Sequence, residues 1–126
     1  MIIMNYTRVS AITGNGLASL LREAAGCVVI DCRSFIAYNS GHVKSAVNIC
    51  CPSLLRRRLK KGTASLETLI SCQTTLKFLR DTEIKSIVLY DEGTTLKPDD
   101  EPSSTVTVVG ALLANELKKK TYYLKG

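Results

Sequence analysis

The sequence predicts an α/β domain built on a mostly parallel sheet. Short apolar runs recur at residues 27–30, 46–49 and 86–90. Runs without alternation belong to strands covered on both faces, as parallel strands are. Between them lie stretches with apolar residues at helical spacing, and strands alternating with helices build a parallel sheet. The chain has 126 residues, 45% hydrophobic and 22% charged. That is one domain, residues 1–126, with a core large enough to need no metal or disulfide.

Each element has its own signals. Residues 7–10 are expected as a first strand, punctuated by Gly14-Asn-Gly16. Leu17, Leu20, Leu21 and Ala24 recur at helical spacing, and Gly26 stops that helix. Residues 27–30 form a buried strand. Ser34 caps a short helix to Tyr38, ended near Gly41. Residues 46–49 form a second buried strand. Pro52 suits the first turn of a helix running to about Lys61 and closed by Gly62. Residues 65–70 and 74–80 are two further short helical stretches, and 86–90 is the third core strand. The polar segment 93–104, with Pro98 and Pro102, is a surface loop. Val109, Leu112, Leu113 and Leu117 give residues 105–118 a helical pattern, against the β-branched start of that segment. Residues 122–124 are the last strand. Val29, Ile30, Val47, Ile49, Val88 and Leu89 are the expected sheet interior.

Several function classes are excluded. The longest apolar run, residues 108–114, is far below the ~20 residues of a membrane helix. The start turns polar at Asn5, so no signal core is expected. The five cysteines are odd in number and contain no Cys-x-x-Cys, which reads as reduced thiols in cytosol or nucleus. With His42 as the single histidine, neither a metal nor a cofactor is expected.

Charge is concentrated. Arg56, Arg57, Arg58, Lys60 and Lys61 hold five of the 17 basic residues, and the other 12 barely exceed the 11 acidic ones. A smaller cluster is Lys118-Lys119-Lys120. At 100° per residue, Arg56, Lys60, Arg57 and Lys61 span an arc of roughly 140° on a helix. Leu55 and Leu59 sit side by side away from that arc, as an anchor to the core, and Leu54 falls just beyond Lys61. No Asp or Glu occurs between Arg33 and Glu67 to neutralise the cluster. Arginine favours bidentate pairing with carboxylates or phosphates. Aromatics are not interleaved with the charge, which favours an acidic protein groove over nucleic acid.

Thiol chemistry has weaker support. The spacing Cys-x5-Arg occurs from Cys27, Cys50 and Cys51. In a phosphate-binding loop the five residues curl so that their amides and the arginine hold the anion. The interior of the Cys27 version is an apolar strand, which would hold Cys27 and Arg33 roughly 20 Å apart. The Cys50 and Cys51 versions lack glycine, and Pro52 removes one amide. His42 is expected to hydrogen-bond backbone near a turn. Asp91 and Glu92 end a core strand, where ligands of α/β sheets bind, but adjacent acids point apart and read as a solvated turn.

The joint pattern resembles a known family. Val29-Ile-Asp-Cys-Arg-Ser-Phe35, Tyr38-Asn-Ser-Gly-His-Val43 and Ala46-Val-Asn-Ile49 resemble the first stretch of the rhodanese-like domain of dual-specificity MAP kinase phosphatases, in particular the inducible nuclear group. Leu54-Leu-Arg-Arg-Arg-Leu-Lys-Lys-Gly62 resembles their kinase-interaction motif, and Ile87-Val-Leu-Tyr-Asp-Glu92 and Tyr123-Leu-Lys-Gly126 resemble the later strands. The resemblance implies a rhodanese-like fold, a five-stranded central sheet flanked by helices. It implies that Arg56, Arg57, Arg58, Lys60 and Lys61, with Leu54, Leu55 or Leu59, dock onto the acidic groove of a MAP kinase in the nucleus or cytoplasm. It further implies a separate catalytic domain, absent from this chain, that removes phosphate from kinase threonine and tyrosine. Asp91 falls where active rhodaneses carry their cysteine, so no catalytic residue is expected. The competing reading is a small thiol enzyme, a sulfurtransferase or phosphatase using Cys50, Cys51 or Cys32.

Overall fold

A computed structural model describes residues 9–23, 26–91 and 105–124. The expected loop 93–104, Glu92, Ala24, the start of the first strand and the last two residues lie outside the described residues. The elements run β1 (Val9–Ile12), α1 (Gly14–Glu23), β2 (Cys27–Asp31), α2 (Phe35–Ser40), β3 (Val47–Asn48), α3 (Ser53–Lys60), α4 (Leu66–Leu69), α5 (Gln73–Arg80), β4 (Ser86–Tyr90), α6 (Thr105–Leu117) and β5 (Lys120–Leu124). The strands form one five-stranded sheet in the order β1-β5-β4-β2-β3, each registered pairing parallel.

Both faces are covered, which explains the unbroken apolar runs. On one face Val28, Ile30, Ile87 and Leu89 pack with Leu59, Leu66, Leu79 and the valines and leucines of α6. On the other, Val29 and Val88 pack with Leu17 and Ala46, backed by Leu20, Tyr38, Tyr90 and Tyr122. Leu21 is 48% exposed, so α1 buries a narrower stripe than its spacing predicted.

Two local expectations are corrected. Gly14 and Gly16 do not separate β1 from α1; they form the first turn of α1. Thr13 makes this possible, because its hydroxyl accepts from the Gly16 amide at 3.0 Å and its carbonyl from Leu17 at 2.8 Å. The segment 46–49 is not a full inner strand. Only Val47 and Asn48 pair, on one side, with β2, so Val47 is half-buried while its neighbours Ala46 and Ile49 reach opposite cores.

Gly26 is required by close approach. Its φ is +92°, and a Cβ there would lie 2.0 Å from the Glu83 carbonyl oxygen. Its own carbonyl accepts from the Lys85 amide at 2.8 Å, tying the start of β2 to the start of β4. Gly62, at φ +73°, closes α3 as expected, its amide bonding to the Leu59 carbonyl.

Candidate functional site

The basic segment folds as α3, begun by Pro52 and stopped by Gly62. Leu59 is 2% exposed and locks the helix into the core, with Leu55 packed half-buried beside it. This leaves the opposite side to solvent. Arg57, Arg58, Lys60 and Lys61 are exposed, and Leu54 is 69% exposed. By helical position Leu54 lies between Arg57 and Lys61 on one side and Arg58 on the other. Arg58 donates to the Thr63 carbonyl at 3.2 Å, which steadies the helix end. Arg56 sits lower: it is half-buried, and its charge is felt by the Cys51 thiol. The ion pairs Arg33–Asp31 and Arg80–Glu67 lie elsewhere on the molecule.

The carboxyl end of the sheet is occupied by a polar network. Asp31 is wholly buried at the end of β2, in register with Tyr90 at the end of β4. Its carboxylate accepts from the Arg33 amide at 2.8 Å, from Arg33 Nη2 at 2.7 Å and from the Tyr90 hydroxyl at 2.7 Å. Arg33 also lies over the Tyr90 ring, 5.5 Å from its centroid, and reaches the Gly41 carbonyl. Burial opposes ionisation of Asp31, but the Arg33 and Tyr90 donors outweigh it and hold the carboxyl below its ordinary value. Burial likewise raises the Tyr90 hydroxyl. Both carboxylate oxygens of Asp31 accept from Arg33, and one also from Tyr90, so this cluster locks the sheet end. Its partners Asp31 and Tyr90 are 59 residues apart, so the sequence carries one local signal of it, an aspartate directly after Val-Val-Ile.

The thiols are placed unevenly. Cys27 begins β2 and Arg33 lies beyond its far end, so that spacing is extended and forms no cradle. Cys32 and Cys51 are buried. Burial pushes Cys32 well above its ordinary value, with Asp91 and Asp31 adding to the rise, and pushes Cys51 up to about 11 despite Arg56. Both are poor nucleophiles at neutral pH. Cys50 and Cys72 are exposed. Asp91 directly follows β4 at the centre of the sheet's carboxyl edge. His42 stacks on the Tyr38 ring at 3.8 Å, with Nδ1 2.7 Å from the Tyr38 carbonyl oxygen, as a turn histidine should. Among the described residues no cluster of three or more histidine, cysteine or carboxylate side chains could hold a metal, and no helix is long and apolar enough to cross a membrane.

Comparison with known proteins agrees with this architecture. Dual specificity protein phosphatase 8 of Mus musculus is 48% identical over 79 residues, 62% of this chain and 12% of that protein. Dual specificity protein phosphatase 1 of Mus musculus is 32% identical over 120 residues, 94% of this chain and 32% of that protein. The chain thus spans under a third of the length of these curated relatives. Among solved structures, Saccharomyces cerevisiae Ygr203w, a homolog of single-domain rhodanese and Cdc25 phosphatase catalytic domain, matches with a TM-score of 0.56 at 16% identity, covering 100% of this chain and 81% of that one. That likeness is one of fold. The profile of the rhodanese-like domain matches residues 15–126, and the chain belongs to the rhodanese-like domain family.

Proposed function

We propose that this domain is a non-catalytic docking module that binds the acidic groove of a MAP kinase through α3. The observation that carries the reading is an exposed leucine, Leu54, set among exposed Arg57, Arg58 and Lys61 on a helix anchored by Leu59. Cations around one apolar side chain suit a groove with carboxylates at its rim, where charge steers encounter and the leucine supplies contact. Relatedness to dual-specificity phosphatases supports a kinase-directed role. In a longer chain the module would hold the kinase against a catalytic domain that removes its activating phosphates. The same basic run would serve nuclear import, so a nuclear location belongs to the proposal. The buried Cys32 and Cys51 and the carboxylate of Asp91 support the absence of sulfur transfer by this segment.

The test is titration of a MAP kinase against the wild type and Arg57→Ala/Arg58→Ala at two salt concentrations. The variant is expected to bind more than about tenfold more weakly, or about 1.4 kcal/mol, with a melting curve lowered only slightly by the lost exposed Arg58–Thr63 hydrogen bond. Exposed charge is screened over about 8 Å at physiological salt, so added salt should weaken the wild type more than the variant. Equal affinity would return α3 to the role of a solvated face. Thiosulfate:cyanide transfer or aryl-phosphate hydrolysis lost in Cys50→Ser or Cys51→Ser would overturn the non-catalytic part.

A further inference from the structure

The docking reading uses none of the five cysteines. Three are shielded: Cys32 and Cys51 are buried and Cys27 half-buried. The two exposed ones line the same cleft. Ile49 and Ile70 belong to one core cluster, and burying both draws the segment after β3 alongside the α4–α5 connection. Cys50 follows Ile49, and Cys72 lies two residues beyond Ile70 at the N-cap of α5. Both cysteines line one open cleft of about 130 Å³, with Asn48, Ser71 and Thr75. Ligand pockets run from about 300 Å³ upward, so this cleft is too small for an ordinary small-molecule site. Two sulfurs without a third ligand also fall short of a closed metal site. What remains is chemistry between the two thiols.

We propose that Cys50 and Cys72 form a reversible redox pair, Cys72 reacting with a peroxide and Cys50 resolving it to an intramolecular disulfide. In the first step the Cys72 thiolate attacks one peroxide oxygen. An S–O bond forms and the O–O bond breaks. Cys72 loses two electrons and becomes a sulfenic acid, and the departing hydroxide takes up the thiol's proton as water. In the second step the Cys50 thiolate attacks the Cys72 sulfur. The S–S bond forms, the S–O bond breaks, and hydroxide leaves with the Cys50 proton as a second water. Two thiols and one peroxide give one disulfide and two waters, and an external dithiol reverses the exchange.

The division of labour follows from position. Cys72 stands at the amino end of an eight-residue helix, where unpaired amides favour an anion. Its neutral thiol makes no capping hydrogen bond; the Thr75 hydroxyl and amide favour its charged form and hold it below its ordinary value. Cys51, next to Cys50, is buried and held high, and does not compete.

The test exposes the 126-residue chain to hydrogen peroxide, counts free thiols, and maps linkages by mass spectrometry of non-reduced digests. The wild type should lose two of its five thiols, yield one Cys50–Cys72 linked peptide, and recover both thiols in dithiothreitol. Cys50→Ser should lose one thiol and carry a dimedone adduct at Cys72. Cys72→Ser should keep its remaining four thiols at the same dose. Melting curves of both variants should match the wild type, since both positions are exposed. A linkage between any other pair, a linkage between chains, or equal oxidation of wild type and Cys72→Ser would overturn the proposal.

Discussion

Helices α3 and α6 pack against each other and are built to opposite rules. In α6, Val106, Val108, Val109, Ala111, Leu112, Leu113 and Ala114 are all buried, with Gly110 between them letting the helix approach Val9 and Leu89. In α3, Leu59 is the single buried residue and four of the eight positions are cationic. Intrinsic preference favours α3, which is built almost wholly of leucine, arginine and lysine; α6 opens with β-branched residues that lose rotamer freedom in a helix, yet burial overrides this cost. The lesson is a separation of duties. One helix holds the fold, and the other is held by Leu59 with Leu55 beside it, leaving its opposite side exposed. Substitutions on the exposed side of α3 should therefore leave the fold in place.

The largest expected effect tests the supporting helix. Leu113→Asp places an unpaired charge at a fully buried site, at a cost of several kcal/mol against a total stability of about 5–15 kcal/mol. Cooperative melting should vanish. A variant melting within a few degrees of wild type would mean that α6 does not carry the core.

The next effect separates the two sides of α3. Leu59→Ala should cost about 3 kcal/mol in urea unfolding, because it empties a buried site. Leu54→Ala, on the exposed side, should stay within about 0.5 kcal/mol of wild type. Equal losses at the two positions would break the anchored-face description.

A smaller effect distinguishes a charge that the fold needs from charges it carries. Asp31→Asn should cost about 2 kcal/mol near neutral pH. The folded Asp31 carboxyl binds its proton less readily than the unfolded one. Its contribution is therefore full above about pH 5, and is lost as pH falls through the unfolded value near 4 toward the lower folded value. The gap in stability between wild type and variant should close on acidification across that window. A gap independent of pH would remove Asp31 ionisation from the account.

The sheet and its helices were legible because covering both faces of a strand leaves a continuous apolar run, a pattern internal to each segment. The corrected regions depended on what stood next to them. Residues 46–49 look like a core strand by composition, but the number of strands beside them decides how many residues pair. Gly14 and Gly16 look like a break, and Thr13 turns them into a helix start. On α3 the anchoring leucines followed from spacing alone, whereas the lower seat of Arg56 depends on the neighbouring Cys51 segment. The Asp31–Arg33–Tyr90 network and the cleft shared by Cys50 and Cys72 bring together residues distant in sequence, and no local pattern announces either.

The outer edge of the sheet has a consequence for how the chain reaches this state. Val9 of β1 pairs with Thr121 of β5, so the first described strand waits for nearly the last. At roughly 5–20 residues per second, synthesis leaves β1 without its partner for about 6–22 s after it is made. Through that interval its amides and carbonyls present an open template, the hazard of any unpaired strand. Its four-residue length and two exposed central side chains, Ser10 and Ala11, make it a poor one. Closing such distant ends is also slow. Docking of β1 onto β5 is therefore the expected late step of folding, and a chain cut short before residue 120 would leave β1 without the strand it pairs with.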